Sequence, residues 1–228
     1  VSELLAIGDR TFHVAATSTS ALAFAGVDLH AAVQKRVHPL SDVSQWEAAF
    51  VDGSGAVALL EEDPGRIFVF SKDLRTLAHT IDLDVPDTDP LNDEWKKDPA
   101  SRSEGLVLLT NGHALVVKEK EPIRLIEFGP KGATPSGYSA NDAALRKPFP
   151  LPSGDASKFV PLKSWSLSDK ALEVAKDLSE ITVGPDGLLY VLSDESRLIA
   201  RLEDRLSPEE DKVRFKAVWT LPSAVEKP

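Results

Sequence analysis

Short apolar stretches alternate with glycine-bearing turns along most of the chain. Three segments follow one order: an apolar strand, a turn, a second apolar strand that ends in acidic residues, and a third strand. These segments cover residues 47–70, 104–128 and 179–202. Apolar and β-branched runs bounded by turn residues are typical of β-strands. The pattern therefore predicts an all-β chain built from a repeated unit.

A fourth strand follows each segment, and a similar unit precedes residue 41. Four-stranded units repeated in this way are typical of β-propeller blades. A β-sandwich is the alternative, but it does not explain why acidic residues recur at the same offset past each turn. We therefore expect a single all-β domain, a β-propeller of four-stranded blades with four blades visible. The blades cover about residues 2–40, 41–84, 102–167 and 177–222.

The segments between the strands predict loops, a short helix and hairpin turns. Residues 86–102 and 129–158 are rich in Pro, Asp, Gly and Ser, which predicts two long surface loops. Residues 169–176 have the composition of one or two helical turns. The pairs Asn111-Gly112 and Asp186-Gly187 predict hairpins with type I′ turns, in which both central residues have positive φ.

Charge and composition exclude several partners. The formal net charge of −10 argues against nucleic acid and against an anionic membrane surface, because both need clustered Lys and Arg. No apolar run reaches the roughly 18 residues that a membrane helix needs, so we expect no membrane insertion. The chain has no cysteine, which excludes disulfides and thiolate chemistry. We expect a soluble protein, cytoplasmic or exported with its leader removed, since the sequence does not begin with Met.

Acidic residues recur at the start of the inner strand and at the end of the second strand. In a propeller both positions lie at one mouth of the central channel, where converging carboxylates repel each other unless a cation is present. Calcium, which takes oxygen ligands in irregular geometry, or a small cationic ligand would satisfy them. The candidate metal ligands are Glu47, Glu104, Glu119, Asp177 and Asp194, and the candidate ligand-binding residues are Trp46, Glu62 and Lys118.

Two alternatives remain open for these residues. The acids are either a shared site or solvated loop residues that pair with neighbouring Lys and Arg. Trp46 is either a residue that packs between blades or a stacking wall for a ligand. The sequence has no Gly-x-Ser-x-Gly elbow, no His-Glu-x-x-His motif and no phosphate-binding glycine loop, and its five histidines lack metal-ligand spacing. This favours a binding or scaffold propeller over an enzyme.

Three short motifs carry a family resemblance. Residues 103–106 (Ser-Glu-Gly-Leu), 117–120 (Val-Lys-Glu-Lys) and 177–179 (Asp-Leu-Ser) resemble the bacterial propellers grouped as SdiA-regulated proteins, and also the group named for the esterase-like activity of phytase. The likeness covers roughly residues 40–225. It implies a six-bladed propeller, often with calcium, and it makes a calcium-assisted phosphoesterase or esterase the alternative function.

The resemblance implies more blades than the sequence shows. Four units are visible, so we expect roughly two more blades, supplied by the same polypeptide or by a partner chain. The open sheet would otherwise expose a strand edge and an apolar face, which natural proteins avoid.

Overall fold

A computed structural model describes residues 45–72, 76–154 and 156–221, together with four N-terminal strands. Those strands are β1 (Glu3–Gly8), β2 (Thr11–Ala16), β3 (Ala23–Phe24) and β4 (Val27–Asp28). They form two hairpins, β1–β2 and β3–β4. The rest of the predicted first blade lies outside the described residues. The chain is mostly β with few helices, which confirms the all-β prediction. No helix within the described residues is long and apolar enough to cross a membrane.

Twelve strands form three four-stranded antiparallel arrays in which successive strands are hydrogen-bonded. The first array contains β5 (Trp46–Val51), β6 (Val57–Glu61), β7 (Arg66–Phe70) and β8 (Leu77–Leu83). The second contains β9 (Gly105–Leu108), β10 (Ala114–Lys118), β11 (Arg124–Pro130) and β13 (Ala156–Leu167). The third contains β14 (Glu180–Val183), β15 (Leu189–Ser193), β16 (Leu198–Leu202) and β19 (Phe215–Thr220).

Short strands and helices connect the arrays. The first two arrays join through a parallel pairing of β8 with the beginning of β13. The remaining elements are α1 (Asn92–Lys97), a 3-10 turn (Pro99–Ser101), β12 (Tyr138–Ser139), α2 (Asp169–Leu172), β17 (Arg205–Leu206) and β18 (Lys212–Val213). The prediction of a helical turn after residue 168 is confirmed by α2.

The first two strands of each array are joined by the same kind of turn. The N–H of Gly55, Gly112 or Gly187 donates to the carbonyl three residues earlier, at 2.9, 3.0 and 2.9 Å. These glycines have φ of 86°, 87° and 78°, whereas Asn111 and Asp186 do not have positive φ. The turns are therefore type I followed by a left-handed glycine. The hairpins were predicted correctly, but the prediction of type I′ turns was wrong.

The arrays pack with their first strands side by side: β1 against β5, β5 against β9, and β9 against β14. One apolar core runs through all three arrays. A Cβ on Gly105 in β9 would lie 2.5 Å from the backbone nitrogen of Ile181 in β14, so only glycine allows this approach. The first two strands of the second and third arrays contribute seven buried apolar residues to this core, and Val183 is half-buried. The seven are Leu106, Leu108, Leu115, Val117, Ile181, Leu189 and Val191.

Both predicted loops are more deeply packed than surface loops. In the first, Trp95 of α1 is 4% exposed and its ring lies 5.5 Å from that of Phe128. In the second, the N–H of Phe149 donates to Asp52 Oδ2 at 2.7 Å, and the N–H of Gly53 donates to the carbonyl of Ala144 at 2.8 Å. Residues 129–158 therefore form hydrogen bonds with the turn at residues 52–53, which connects the first array to the second.

The described residues cover one face of the third array more fully than the other. Strands β6, β9 and β10 are buried at every position, whereas β15 and β16 alternate between buried and half-buried. The strand register places Leu192, Ile199 and Trp219 opposite one another across three strands, on the less buried face. Trp219 is 48% exposed and stacks on Tyr190 at 6.1 Å. This less buried face therefore carries an apolar stripe that is half-buried at Leu192 and Ile199 and exposed at Trp219.

Candidate functional site

Four glutamates of the first two arrays converge at one end of the first strands. Glu47 lies in β5, Glu62 follows β6, Glu104 precedes β9 and Glu119 follows β10. In an antiparallel hairpin the start of one strand and the end of the next lie at the same end, so each array contributes two carboxylates. Because β5 lies against β9, the two pairs meet. We call these four residues, with Asp177 and Asp194 of the third array, the acidic mouth.

Burial and repulsion raise the pKa of two of these carboxyls. Burial raises the pKa of Glu62 to about 7; a hydrogen bond with Glu104 works against this effect, and the charge of Glu47 adds to it. Burial also raises the pKa of Glu104 to about 9, with repulsion from Glu47 and Glu62. Two carboxyl groups form a hydrogen bond only when one is protonated. Glu62 and Glu104 therefore share a proton at neutral pH.

One carboxylate oxygen of Glu62 depends on the proton that this residue shares with Glu104. The Glu62 side chain is 2% exposed. The Oε2 atom accepts a hydrogen bond from Gln45 Nε2 at 3.2 Å, and once the shared proton is lost the buried Oε1 atom has no hydrogen-bond partner in the described part of the chain. An unsatisfied buried acceptor costs about 1–3 kcal/mol, more when it is charged. A ligand that supplied a positive charge or a donor here would offset this cost.

A second carboxyl pair lies at the third array. Asp177 is fully buried, and its Oδ1 accepts a hydrogen bond from the Ser193 hydroxyl. Without a proton shared with Asp194, its Oδ2 has no partner among the described residues. Burial, then a hydrogen bond with Asp194, raises the pKa of Asp177 to about 6. The same hydrogen bond lowers the pKa of Asp194, which is exposed. This pair therefore repeats the arrangement of Glu62 and Glu104.

Lys120 connects the second and third arrays beside these pairs. Its Nζ lies 3.0 Å from Glu119 Oε1 and 3.0 Å from Glu195 Oε1. Hydrogen bonds to Glu195 and Glu119 raise its pKa. The N–H of Leu178 donates to the carbonyl of Glu119 at 3.1 Å, which holds the two arrays together at this end. An ammonium group therefore already bridges carboxylates of two arrays.

The structure places the other two candidate ligand-binding residues in packed environments. Trp46 is 5% exposed and meets Phe68 edge-on at 5.5 Å within a small apolar cluster of the first array. This is the packing alternative for Trp46. Lys118 is fully buried and its ammonium donates to the carbonyl of Lys120. Burial lowers the pKa of Lys118.

Sequence reasoning missed several residues of the mouth. It did not assign Gln45, Ser193 or Glu195 to the site, although each of them is adjacent in sequence or hydrogen-bonded to a candidate acid. It considered Lys120 only as an ion-pair partner of the acids, which is the role Lys120 has beside Glu119. Proximity to the acidic repeat was the signal that could have found Lys120 and Glu195. Gln45 has φ of 63°, a conformation that the sequence pattern does not indicate.

The carboxyl groups of the acidic mouth lie in pairs. Across residues 45–72, 76–154 and 156–221, no three carboxylate or imidazole side chains form a group that could hold a metal ion. The donors are all oxygens, which suits a hard cation, but calcium takes about six to eight of them. The described residues alone do not complete such a site, and the calcium site stays a prediction.

Repeated antiparallel arrays with adjacent first strands and an acidic end define a mostly-β repeat protein. Residues 14–225 match the SdiA-regulated family, a propeller-type family, and the chain belongs to it. No curated protein matches the chain.

Two solved structures have limited similarity to the chain. One is Hsv2 of Kluyvelomyces marxianus, at 16% identity and a TM-score of 0.38, with 78% of this chain and 49% of that chain covered. The other is a Bacteroides caccae protein of unknown function, at 12% identity and a TM-score of 0.32, with 77% and 60% covered. The chain therefore spans about half the length of the first of these structures.

Proposed function

We propose that this chain is a binding β-propeller whose acidic mouth takes a cationic ligand. The observation that carries the proposal is Glu62, a carboxylate that is 2% exposed and lies among three other glutamates. Without the proton shared with Glu104, its Oε1 atom has no donor among the described residues. Such a group is costly to bury unless a positive charge accompanies it. A bound cation would replace the proton that Glu62 shares with Glu104.

The three arrays are, in this proposal, blades of the propeller. Family membership, the repeated type I turn and the adjacent first strands support this assignment. The less buried face of the third array, where Trp219 is exposed, supports a further blade against this array, from the same polypeptide or from a partner chain. Buried apolar area of this kind stabilises by about 25 cal/mol per Å².

A calcium-assisted phosphoesterase or esterase is the second candidate function. The observation that favours it is the pair Asp177 and Asp194, because carboxyls with divergent pKa values can act as acid and base. A panel of phosphate and carboxyl esters, with and without calcium, tests it. Hydrolysis that is lost in Asp177→Asn but retained in Glu173→Gln would support the enzyme.

Thermal unfolding tests the binding function. We expect an added cation at pH 8 to raise the midpoint, because a ligand that binds only the folded state stabilises it. Calcium, with a chelator as its reversal, and organic ammonium ions at equal ionic strength are the probes. Glu62→Gln should abolish the shift, whereas Glu173→Gln, which changes an exposed acid that is not one of the six residues of the acidic mouth, should not. No shift with any cation would overturn the proposal.

A further inference from the structure

A cavity of about 320 Å³ lies at the end of the arrays opposite to the acidic mouth. It is lined by Thr110 in the turn of the second array, by residues 183–187 of the third array, and by part of residues 138–147 in the second loop. In an antiparallel hairpin the turn lies at the other end from the start of the first strand, so none of the six residues of the acidic mouth lines this cavity. Its volume is in the range of pockets that hold small molecules.

Hydrogen bonds to all three arrays hold residues 138–147 in place. The Tyr138 hydroxyl donates to the carbonyl of Gly187 in the turn of the third array at 2.7 Å. The N–H of Ala144 donates to a carbonyl of β9 in the second array at 2.8 Å, and the carbonyl of Lys147 accepts an N–H from the turn of the first array at 3.0 Å. The cavity is therefore preformed, and a ligand would bind there without the entropic cost of ordering a loop.

The lining combines an apolar part with two cations. Leu145 is 44% exposed and Val183 is half-buried, so the protein leaves apolar surface partly uncovered here. Arg146 and Lys147 are exposed, and their side chains form no hydrogen bond or ion pair with any of the described residues. Partly uncovered apolar surface beside two unpaired cations suits a ligand that has an apolar body and an anionic group.

One acid in the lining sets the charge that this ligand should carry. Asp186 Oδ1 accepts a hydrogen bond from the N–H of Leu188 at 3.1 Å, and its Oδ2 accepts one from the Tyr190 hydroxyl at 2.9 Å. The hydrogen bond from Leu188 contributes most to lowering the pKa of Asp186, so this carboxylate is charged at neutral pH. Two cations and one carboxylate leave the lining with a net charge of +1, which a single negative charge balances.

We propose that this cavity binds a small monocarboxylate with an apolar body. The carboxylate lies at Arg146 and Lys147, and the apolar body packs against Leu145 and Val183. A guanidinium can donate two parallel N–H groups to a carboxylate, which fixes its orientation as well as its charge. This site is separate from the acidic mouth, and the inference does not depend on the proposed function.

The test is a calorimetric titration of the full chain at pH 7 and constant ionic strength. The probes are hexanoate, acetate, hexanol and hexyl phosphate. We expect hexanoate to bind at least about tenfold more tightly than acetate, which lacks the apolar body, and than hexanol, which lacks the charge. Hexyl phosphate carries more negative charge than the lining balances, so it should bind no better than hexanoate.

Variants of exposed side chains, which should fold normally, locate the binding. Arg146→Gln and Lys147→Gln should each weaken hexanoate binding about threefold, and the double variant about tenfold. Leu145→Ala should weaken the binding of hexanoate but not that of acetate. Lys131→Gln, which changes an exposed cation of the same loop outside the cavity, is the matched control and should leave all affinities unchanged.

Three results would overturn the inference. The first is hexanoate binding no better than acetate or hexanol, and the second is equal hexanoate affinity in the double variant and the unmodified chain. The third is hexyl phosphate binding more tightly than hexanoate. A chain that binds none of the four probes also contradicts this inference, but it leaves the cation-binding function of the acidic mouth standing.

Discussion

Replacing Glu62 by Gln tests the electrostatics of the mouth without changing its shape. The pKa of this carboxyl is raised from 4.5 to about 7, chiefly by burial. A carboxyl with a raised pKa binds its proton more tightly in the folded state. Its contribution to stability is therefore fully present below pH 4.5 and is lost as the pH rises through about 7. The amide of Gln carries no charge and removes this loss.

The expected gain in stability of Glu62→Gln follows from proton linkage. Each pH unit between the unfolded and folded pKa costs up to about 1.4 kcal/mol, so the full loss is at most about 3 kcal/mol. Coupling to Glu104 shares the proton between two groups, and we expect about 2 kcal/mol for Glu62 alone. Glu62→Gln should therefore be more stable than the unmodified chain by about 2 kcal/mol at pH 8, or roughly 5 °C in melting midpoint. At pH 5 the two should be nearly equal.

Urea unfolding at pH 5, 6.5 and 8, followed by tryptophan fluorescence and circular dichroism, measures this difference. Coincident transitions by the two probes establish two-state behaviour. Glu104 and Glu180 also have raised pKa values, about 9 and about 8. The free energy of unfolding of the variant should therefore still fall with pH, but less steeply than that of the unmodified chain. Glu173→Gln is the matched control and should follow the unmodified chain. The reasoning would be refuted if Glu62→Gln had the same pH dependence of unfolding free energy as the unmodified chain, or were less stable than it at pH 8.

Two further predictions concern packing, and a third concerns the pH dependence of stability. Gly105→Ala should destabilise by about 2–4 kcal/mol, measured by urea unfolding, because its Cβ would lie 2.5 Å from the Ile181 nitrogen. Gly53→Ala should expose residues 143–149 to hydrogen exchange, since its Cβ would lie 2.1 Å from the Lys147 nitrogen. Burial opposes ionisation of Glu127, but hydrogen bonds from His113 and from residues 136–137 outweigh it and lower its pKa. The contribution of Glu127 to stability is present above pH 4.5 and is lost as the pH falls toward that lowered pKa. In Glu127→Gln the free energy of unfolding should therefore depend less on pH below 4.5.

The repeat pattern was enough to predict the strands and the position of the acids. The alternation of apolar runs and turn glycines located the hairpins, and the recurring offset placed Glu47, Glu62, Glu104 and Glu119 together. The turn type was wrong because Asn-Gly occurs both in type I′ turns and at the end of a type I turn with a left-handed glycine. The sequence signal is the same in the two cases, and strand register decides between them.

Contacts between distant segments could not be predicted. The docking of Phe149 on Asp52 joins residues 97 positions apart, and nothing local in either segment indicates it. The pairing of acids also depends on how neighbouring arrays approach. Asp194 is exposed and Asp177 buried, although both were predicted from the same repeat. A residue pattern places such side chains at one end of the fold but does not give their separation.

The most direct test of the acidic mouth is a crystal structure of the chain soaked at pH 8 with 1,4-diaminobutane, and separately with calcium. We expect density for a cationic group within hydrogen-bonding or coordination distance of Glu62 Oε1, the buried oxygen that has no donor among the described residues once the proton shared with Glu104 is lost. The same soak of Glu62→Gln crystals should show no such density. Saturating cation bound elsewhere on the protein, with only water beside Glu62, would contradict it.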